Sequence, residues 1–277
     1  MYPLLHAAAR LGWDQWTIHW STVIGLTLFG WLYNWRAARG AASAAGQVTG
    51  AQRALFHTGL LVIFLSLNGP LHDLSDYYLF SAHMVQHLLL TLVLPPLLIW
   101  GTPGWMLRPL LERPAIRAVA TRATRPVTCF VVFNLVLAAW HLPPLYNTAM
   151  AYHPVHITQH LMFMAASVLM WWPLLSPLPE LPRLAYPGQM LYCFLMVIPM
   201  SIISIYIAMA DGILYPAYAI APRLWGLSPM LDQQIGGLIM WIPGGLFFYV
   251  VMTFVFFKWS ARDEDGTAGA QVDWRPG

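Results

Sequence analysis

Seven predominantly apolar stretches, each long enough to cross a membrane as a helix, constrain the fold of this sequence more than any other feature. A hydrocarbon core about 30 Å thick requires about 20 apolar residues in a helix. Charged residues make up only 9% of the chain, whereas soluble globular proteins contain about 25%. We therefore expect an all-α integral membrane protein with seven transmembrane helices, at approximately residues 16–35, 54–70, 77–100, 126–145, 154–176, 189–210 and 232–258.

The basic residues predict the orientation of these spans. Cytoplasmic segments of membrane proteins normally carry the excess of Lys and Arg. With the N-terminus outside, only Arg10 and Arg223 lie on the outer side. We therefore predict an N-out, C-in membrane protein with no nucleic-acid partner. The basic residues on its inner side are Arg36, Arg39, Arg53, Arg108, Arg113, Arg117, Arg122, Arg125, Arg183, Lys258, Arg262 and Arg275.

Tryptophan and proline add two expectations about the spans. Kinks are expected in spans 3, 6 and 7, where neighbouring groups can bond the carbonyl groups freed by Pro95, Pro96, Pro199 and Pro243. Tryptophan is enriched at membrane–water interfaces. The tryptophans expected near the outer ends are Trp13, Trp16, Trp20, Trp140 and Trp225, and those near the inner ends are Trp35, Trp100, Trp171, Trp172 and Trp259.

The domain organisation is expected to be one transmembrane domain over residues 1–260 and a polar cytoplasmic tail over 261–277. After the first helix, spans 2–3, 4–5 and 6–7 each form a hairpin that goes out and returns. Spans 3 and 5 open with the same motif, H-x-x-Q-H-L, beginning at His83 and His156. A weaker match begins at Met230. The three hairpins would then be parallel repeats, as is common in transporters.

Two pairs of histidines on spans 3 and 5 form the candidate metal site. Residues four apart share one face of a helix, so His83 lies beside His87, and His156 beside His160. Ionisable side chains inside a membrane normally face the bundle interior and mark a functional site. Neutral imidazole is the commonest metal ligand and suits copper, iron and zinc. We predict that these four histidines bind a metal ion.

Other polar residues are given smaller roles. His72, just beyond span 2, and His141, near the outer end of span 4, are candidate additional ligands, while Gln86 and Gln159 could orient the histidine rings. Asp232 is expected to cap its own helix. Ordinary hydrogen-bonding or structural roles are expected for His6, His57, His153, Cys129 and Cys193.

The sequence resembles the polytopic CtaG family of cytochrome c oxidase assembly factors, not the single-span copper chaperone family of the same name. The resemblance extends from about Trp16 to Lys258 and rests on the paired H-x-x-Q-H helices and two further motifs. These are the His72-Asp73 step and the run Asp232-Gln233-Gln234-Ile235-Gly236-Gly237 leading to Met240-Trp241-Ile242-Pro243-Gly244.

This resemblance implies a non-enzymatic role in making an active haem-copper oxidase, by staging copper on the outer side of the membrane. Its partners would be oxidase subunits, copper donors outside the cytoplasm and membrane lipid. The implied cargo is copper, as Cu(I). The implied ligands are His83, His87, His156 and His160, with His72 and His141 as additional or transit ligands and Asp73, Asp232 and Met240 as accessories.

Two alternatives remain open from the residues themselves. Histidines on two helices could instead hold haem b in a membrane electron carrier. The hairpin repeat and the broken helices also fit a transporter of copper or another small solute. No nucleotide-binding or hydrolase motif is present in the sequence, so we do not expect an enzyme.

Overall fold

The computed structural model describes residues 17–40 and 46–270, and the elements in these residues are helices. The expectations for Arg10, Trp13, Trp16, Arg275 and His6 lie outside the described residues. The elements are α1 (Trp20–Gly40), α2 (Gly50–Leu67), α3 (Pro70–Tyr77), α4 (Phe80–Leu88), a π-helical segment (Leu89–Val93), α5 (Leu94–Gly101), α6 (Gly104–Leu111), α7 (Pro114–Ala123), α8 (Pro126–His141), α9 (Pro143–Ala151), α10 (His153–Leu175), α11 (Tyr186–Ala208), α12 (Pro216–Ala219) and α13 (Pro229–Ala270).

Each of the seven apolar stretches contains a long helix, but not all of them are equally apolar. Within the described residues, four helices are long and apolar enough to cross a membrane: α2, the continuous helix 80–101, α11 and residues 229–262 of α13. A fifth is obtained if α7 and α8, bent by 73°, form one broken span. Helices α1 and α10 have 21 and 23 residues but fall outside this set.

The long helices close into a ring of five. The helix formed by α4, the π segment and α5 packs against α10, α10 against α8, and α8 against α11. Helix α11 packs along α13, and α13 returns to α4. Helix α2 packs outside the ring on α5, and α1 packs on α2. The members of each predicted hairpin are therefore neighbours, and the continuous helix 80–101 that contains α4 packs against α10 through its π segment and α5.

A π-helical segment accommodates the Pro95-Pro96 pair in the helix that carries His83 and His87. Proline has no N–H group, and its ring crowds the carbonyl group four residues earlier. The carbonyl oxygen freed in this way belongs to Thr91, and the indole Nε1 of Trp171 donates to it at 2.9 Å. Trp171 is thus buried rather than interfacial, which corrects its expected place in a tryptophan belt.

Helices α11 and α13 run without interruption through Pro199 and Pro243. A change of helix type accompanies the Pro95-Pro96 pair, whereas Pro199 and Pro243 lie inside helices that remain α-helical. Helix α13 continues to Ala270, so the first part of the predicted tail extends the last helix. Residues 271–277 of that tail lie outside the description.

The start of α13 is fastened to the start of α4 by Asp232. Its Oδ2 accepts a hydrogen bond from the backbone N–H of Phe80 at 2.7 Å. Its Oδ1 accepts from both the backbone N–H and the hydroxyl of Ser81, at 3.1 and 2.5 Å. The expectation that Asp232 caps its own helix is wrong, because the Ser228 hydroxyl fills that role by accepting from the N–H of Leu231.

Two adjacent glycines let α13 pass close to both of its neighbours. A Cβ atom on Gly236 would overlap the Phe80 ring, and one on Gly237 would lie 2.8 Å from the Cβ atom of Ala208 in α11. The Asp-Gln-x-x-Gly-Gly run therefore combines a cap for α4 with two close helix contacts. Its residues position α4, and with it the first histidine pair.

Replacing Asp232 with alanine is expected to destabilise the protein by about 1–3 kcal/mol, because buried N–H groups of α4 lose a charged acceptor. The measurement is the thermal unfolding midpoint of the purified protein in detergent. Asp232→Asn keeps one acceptor oxygen, so its unfolding midpoint should lie between those of the wild type and Asp232→Ala. The control is Asp211→Ala at an exposed position, which should unfold like the wild type. Equal midpoints for Asp232→Ala and Asp211→Ala would contradict this role.

Candidate metal centre

The histidine pairs of α4 and α10 meet inside the bundle. One ring nitrogen from each of His83, His156 and His160 lies within 4.8 Å of the other two. The His83 ring stacks on the His156 and His160 rings, with centroids 5.4 and 5.7 Å apart. The Nε2 atom of His87 lies 2.9 Å from the Nε2 of His83. All four side chains are buried.

The local folding of the two helices explains this convergence. Helix α4 begins at Phe80 and α10 at His153, so both pairs lie in the first turns of their helices and at the same end of the bundle. The i, i+4 spacing places the two rings of each pair on one face. Because the helix that continues from α4 packs against α10, these faces come together, and the ring of His83 stacks on those of His156 and His160.

Hydrogen bonding fixes which nitrogen of His83 can bind a metal. The Tyr218 hydroxyl lies 2.8 Å from the backbone carbonyl of Ser75, to which it can only donate. The Nδ1 atom of His83, 3.2 Å from the same hydroxyl, must therefore donate its proton to the oxygen. This leaves the lone pair of His83 on Nε2, which faces His87.

Two other histidines are oriented in the same manner. The Nδ1 atom of His156 lies 3.4 Å from Oδ2 of Asp76, and the Nδ1 of His141 donates to the carbonyl oxygen of Leu137 at 2.7 Å. In each case the partner on Nδ1 leaves Nε2 as the nitrogen free to coordinate, an arrangement typical of metal-binding histidines.

Several buried ring nitrogens have no hydrogen-bond partner within the described part of the chain. A buried polar group without a partner costs about 1–3 kcal/mol, so a cluster of such atoms signals a missing ligand or a functional strain. The donor set therefore fits a metal ion. These atoms are Nδ1 of His87, Nε2 of His141, Nε2 of His156 and both nitrogens of His160.

Asp76, and not the predicted accessory Asp73, is the carboxylate that contacts the histidines. Its Oδ2 lies 3.4 Å from both His72 Nε2 and His156 Nδ1. Burial by itself raises the pKa of the Asp76 carboxyl, but the His72 and His156 rings outweigh that effect and hold this pKa below its ordinary value. Asp73 is also buried, and its Oδ1 lacks a partner among the described residues.

The two glutamines differ in what they contact. The side-chain amide of Gln86 donates to the carbonyl oxygen of Ser66 at 2.5 Å and lies 3.4 Å from Nδ1 of His72. Both amide atoms of Gln159 are buried and unpaired within the described residues. Met240 is buried in the main apolar core.

The remaining histidines in the described residues divide between the two ends of the structure. His72 in α3 lies beside His19, with 2.7 Å between their Nε2 atoms. His153 is exposed and stacks on His19 with centroids 5.9 Å apart. The His57 ring packs edge-on against Tyr33 and Phe56, consistent with its structural role.

Three tyrosines around the cluster were not anticipated from the sequence. Tyr146 and Tyr218 share a hydrogen bond of 3.0 Å, and Tyr215 donates to the carbonyl oxygen of His141 at 2.8 Å. They belong to the segments between spans, in and beside α9 and α12. A spacing pattern within one helix could not have identified them, whereas the i, i+4 spacing of His72 and Asp76 could have identified Asp76.

The arrangement can hold a metal ion through nitrogen donors alone. Cys129 and Cys193 are free and buried. Cys129 lies near the start of α8, at the opposite end of that helix from His141. A thiolate contribution to the histidine cluster is therefore not expected. Neutral imidazoles from α4 and α10 are the ligand set that the geometry offers.

Comparison with known proteins gives a family for this chain. Uncharacterized proteins of Mycobacterium bovis and Mycobacterium tuberculosis are 26% identical to it over 201 residues, as is one of Mycobacterium leprae. Each match covers 67% of this chain but only 30% of the relative, so the chain spans less than a third of these proteins. No solved structure matches the chain.

The family model for the cytochrome c oxidase caa3 assembly factor matches residues 28–262. This range contains the histidine cluster and both helices that form it, together with the Asp232 cap that fastens α13 to α4. The chain therefore belongs to the CtaG family of cytochrome c oxidase caa3 assembly factors.

Proposed function

We propose that this protein binds Cu(I) at His83, His87, His156 and His160 and stages it for the assembly of a caa3-type cytochrome c oxidase. Family membership supports the assembly role. The observation that carries the copper part is the meeting of two histidine pairs whose buried ring nitrogens lack partners within the described residues. His72 and His141 are proposed as transit or additional ligands, and Asp73, Gln86, Gln159, Asp232 and Met240 as supporting residues.

The charge around the cluster favours a monovalent ion. The donors are neutral imidazoles, and among the described residues Asp76 is the carboxylate that contacts one of them, with its Oδ2 3.4 Å from Nδ1 of His156. Charge buried in a low-dielectric environment is costly unless it is balanced. One Cu(I) ion and one Asp76 carboxylate sum to zero, whereas a divalent ion would leave one positive charge unbalanced.

The packing does not favour the alternative of a haem b site. A porphyrin ligated by two of these rings would need a wide, flat cleft between them. Instead Phe163 packs against His87 with centroids 4.6 Å apart, and Tyr146 against His83 at 5.4 Å. Both aromatic side chains are fully buried. A visible spectrum of the purified protein without a Soret band is the expected result.

The proposed topology is seven spans with the N-terminus outside and the cluster in the outer half of a bacterial-type cytoplasmic membrane. Helices α1 and α10 are long enough for this role at 1.5 Å per residue. Arg108 pairs with Glu180 at 3.0 Å, and both follow helices whose other ends carry the histidines. The basic segments and the histidine cluster thus lie at opposite ends. Oxidase subunits and copper donors outside the cytoplasm are the proposed partners.

Copper binding is tested on protein purified without chelators from copper-replete cells. Wild-type protein should contain copper, and the His83→Ala/His156→Ala double variant should bind Cu(I) more than about 100-fold more weakly, because even outer-shell substitutions typically cost about 10–100-fold. Asp76→Asn should bind Cu(I) about 10–100-fold more weakly for the same reason. Affinity is measured by competition with a chromophoric Cu(I) chelator.

His57→Ala is the matched control, since it removes an imidazole at the other end of the structure and should leave copper affinity unchanged. In cells that lack the native copy, the double variant should also fail to restore oxidase activity, while His57→Ala restores it. Wild-type protein without copper, or a double variant that binds as tightly as wild type, would overturn the proposal.

The orientation is tested with single cysteines in a background lacking Cys129 and Cys193. Asp211 and Glu180 are both exposed, and the proposed topology places Asp211 outside and Glu180 inside. A membrane-impermeant maleimide added to intact cells should label Asp211→Cys but not Glu180→Cys, and permeabilised cells should show labelling of both. The reverse pattern would invert the topology.

A further inference from the structure

An open groove leads from the surface of α1 to the histidine cluster. It has a volume of about 490 Å³ and lies between α1 and α10, with residues of α2 along its floor. Its wall is apolar over most of its length, from Gly25 and Phe29 to Met164. Histidines form its polar part: His19, His72, His153, His156 and His160.

The histidines of the groove form a graded series from exposed to buried. His153 is exposed and His19 partly buried, whereas His72, His156 and His160 are buried. His153 stacks on His19, whose Nε2 lies 2.7 Å from that of His72. Adjacent members up to His72 are therefore close enough to share or exchange one bound ion.

Asp76 connects this series to the cluster. Its Oδ2 atom lies 3.4 Å from His72 on the groove side and 3.4 Å from His156 on the cluster side. The unpaired Nε2 of His156 and both unpaired nitrogens of His160 belong to side chains that line the groove. The groove thus ends on donors that have no protein partner in the described residues.

Hydrogen bonds at two points hold α1, and His19 directly before it, as a fixed wall of the groove. At its outer end the backbone N–H of His19 donates to Asn68 at 2.7 Å, and Thr17 accepts from the N–H of Gly69 at 3.1 Å. At its inner end the Tyr33 hydroxyl donates to the carbonyl oxygen of Gly101 at 2.9 Å. The groove lies between these two attachments.

We propose that Cu(I) reaches the buried cluster through this groove, with His19 and His72 as its first ligands and Asp76 as the carboxylate that it passes. This inference rests on the proposed copper function and adds the route of the ion and the role of His19, the residue directly before α1. A bare ion in an apolar environment is prohibitively costly. Stepwise exchange between neighbouring imidazoles keeps the ion coordinated, and the Asp76 charge balances it midway.

The route is tested by filling the groove without touching the ligands. A Cβ atom on Gly25 meets nothing within 4 Å, so Gly25→Phe should fold while its ring occupies the groove. The control is Ile24→Phe, on the neighbouring residue, which is 57% exposed and does not line the groove. Purified variants are mixed with the Cu(I)–bicinchoninate complex, and the loss of its absorbance gives the rate of copper transfer and its final extent.

Gly25→Phe should slow transfer at least about tenfold, which corresponds to about 1.4 kcal/mol in the barrier, with no change in the final copper content. Ile24→Phe should transfer copper at the wild-type rate. His19→Ala should also slow copper transfer, while the cluster still fills with copper in the end. This second variant tests the route if Gly25→Phe does not fold.

The two levels of the proposal fail differently. If wild-type protein takes up no copper, the copper function and the route both fall. If wild-type protein fills and either Gly25→Phe or His19→Ala fills at the same rate, the route is wrong and the cluster stands. The route would also be contradicted if Gly25→Phe took up copper at the wild-type rate but ended with less copper than the wild type. That result would mean that the groove affects how much copper binds and not how fast it enters.

Discussion

A polar group enclosed by apolar side chains must find a partner, and this requirement shapes the part of the bundle around the helix that carries His83 and His87. The freed carbonyl oxygen of Thr91 is bonded by Trp171, and the first N–H groups of α4 by Asp232. Both solutions bring another helix against the helix that carries His83 and His87. The position of that helix is therefore set from two sides, by α10 and by α13.

The histidine cluster is the place where this requirement is left incomplete. His83 and His156 each have a partner on Nδ1 that orients the ring, yet His160 has none on either nitrogen within the described residues. Side chains satisfied on one edge and unsatisfied on the other are typical of ligand sets that wait for an ion. A purely structural histidine cluster would be expected to pair these nitrogens with carbonyl groups or hydroxyls.

The sequence could predict the parts of the structure that depend on one helix at a time. Helix positions and the two i, i+4 histidine pairs follow from apolar length and helical periodicity. Contacts between distant segments could not be predicted in this way. The sequence predicts that Asp232 caps its own helix, whereas its bonds to Phe80 join residues about 150 positions apart. Tyr218 likewise contacts His83 from a short helix that lies between the long ones. The apolar-length criterion also leaves α10 outside the set of spans, because the polar residues that form the site lower its hydropathy.

The chemistry of the donor set bears on what such a protein could do with copper. Thiolates are the ligands that hold Cu(I) most firmly, and both cysteines of the chain are buried in free form away from the cluster. Imidazoles in excess of what one ion needs offer several coordination sets of similar energy. An ion can then move between sets without leaving coordination, as the series from His19 to His160 would allow. For a protein that passes copper to an oxidase, as proposed, a nitrogen-only site favours release over retention, and burial of the cluster rather than ligand strength would protect the ion until transfer.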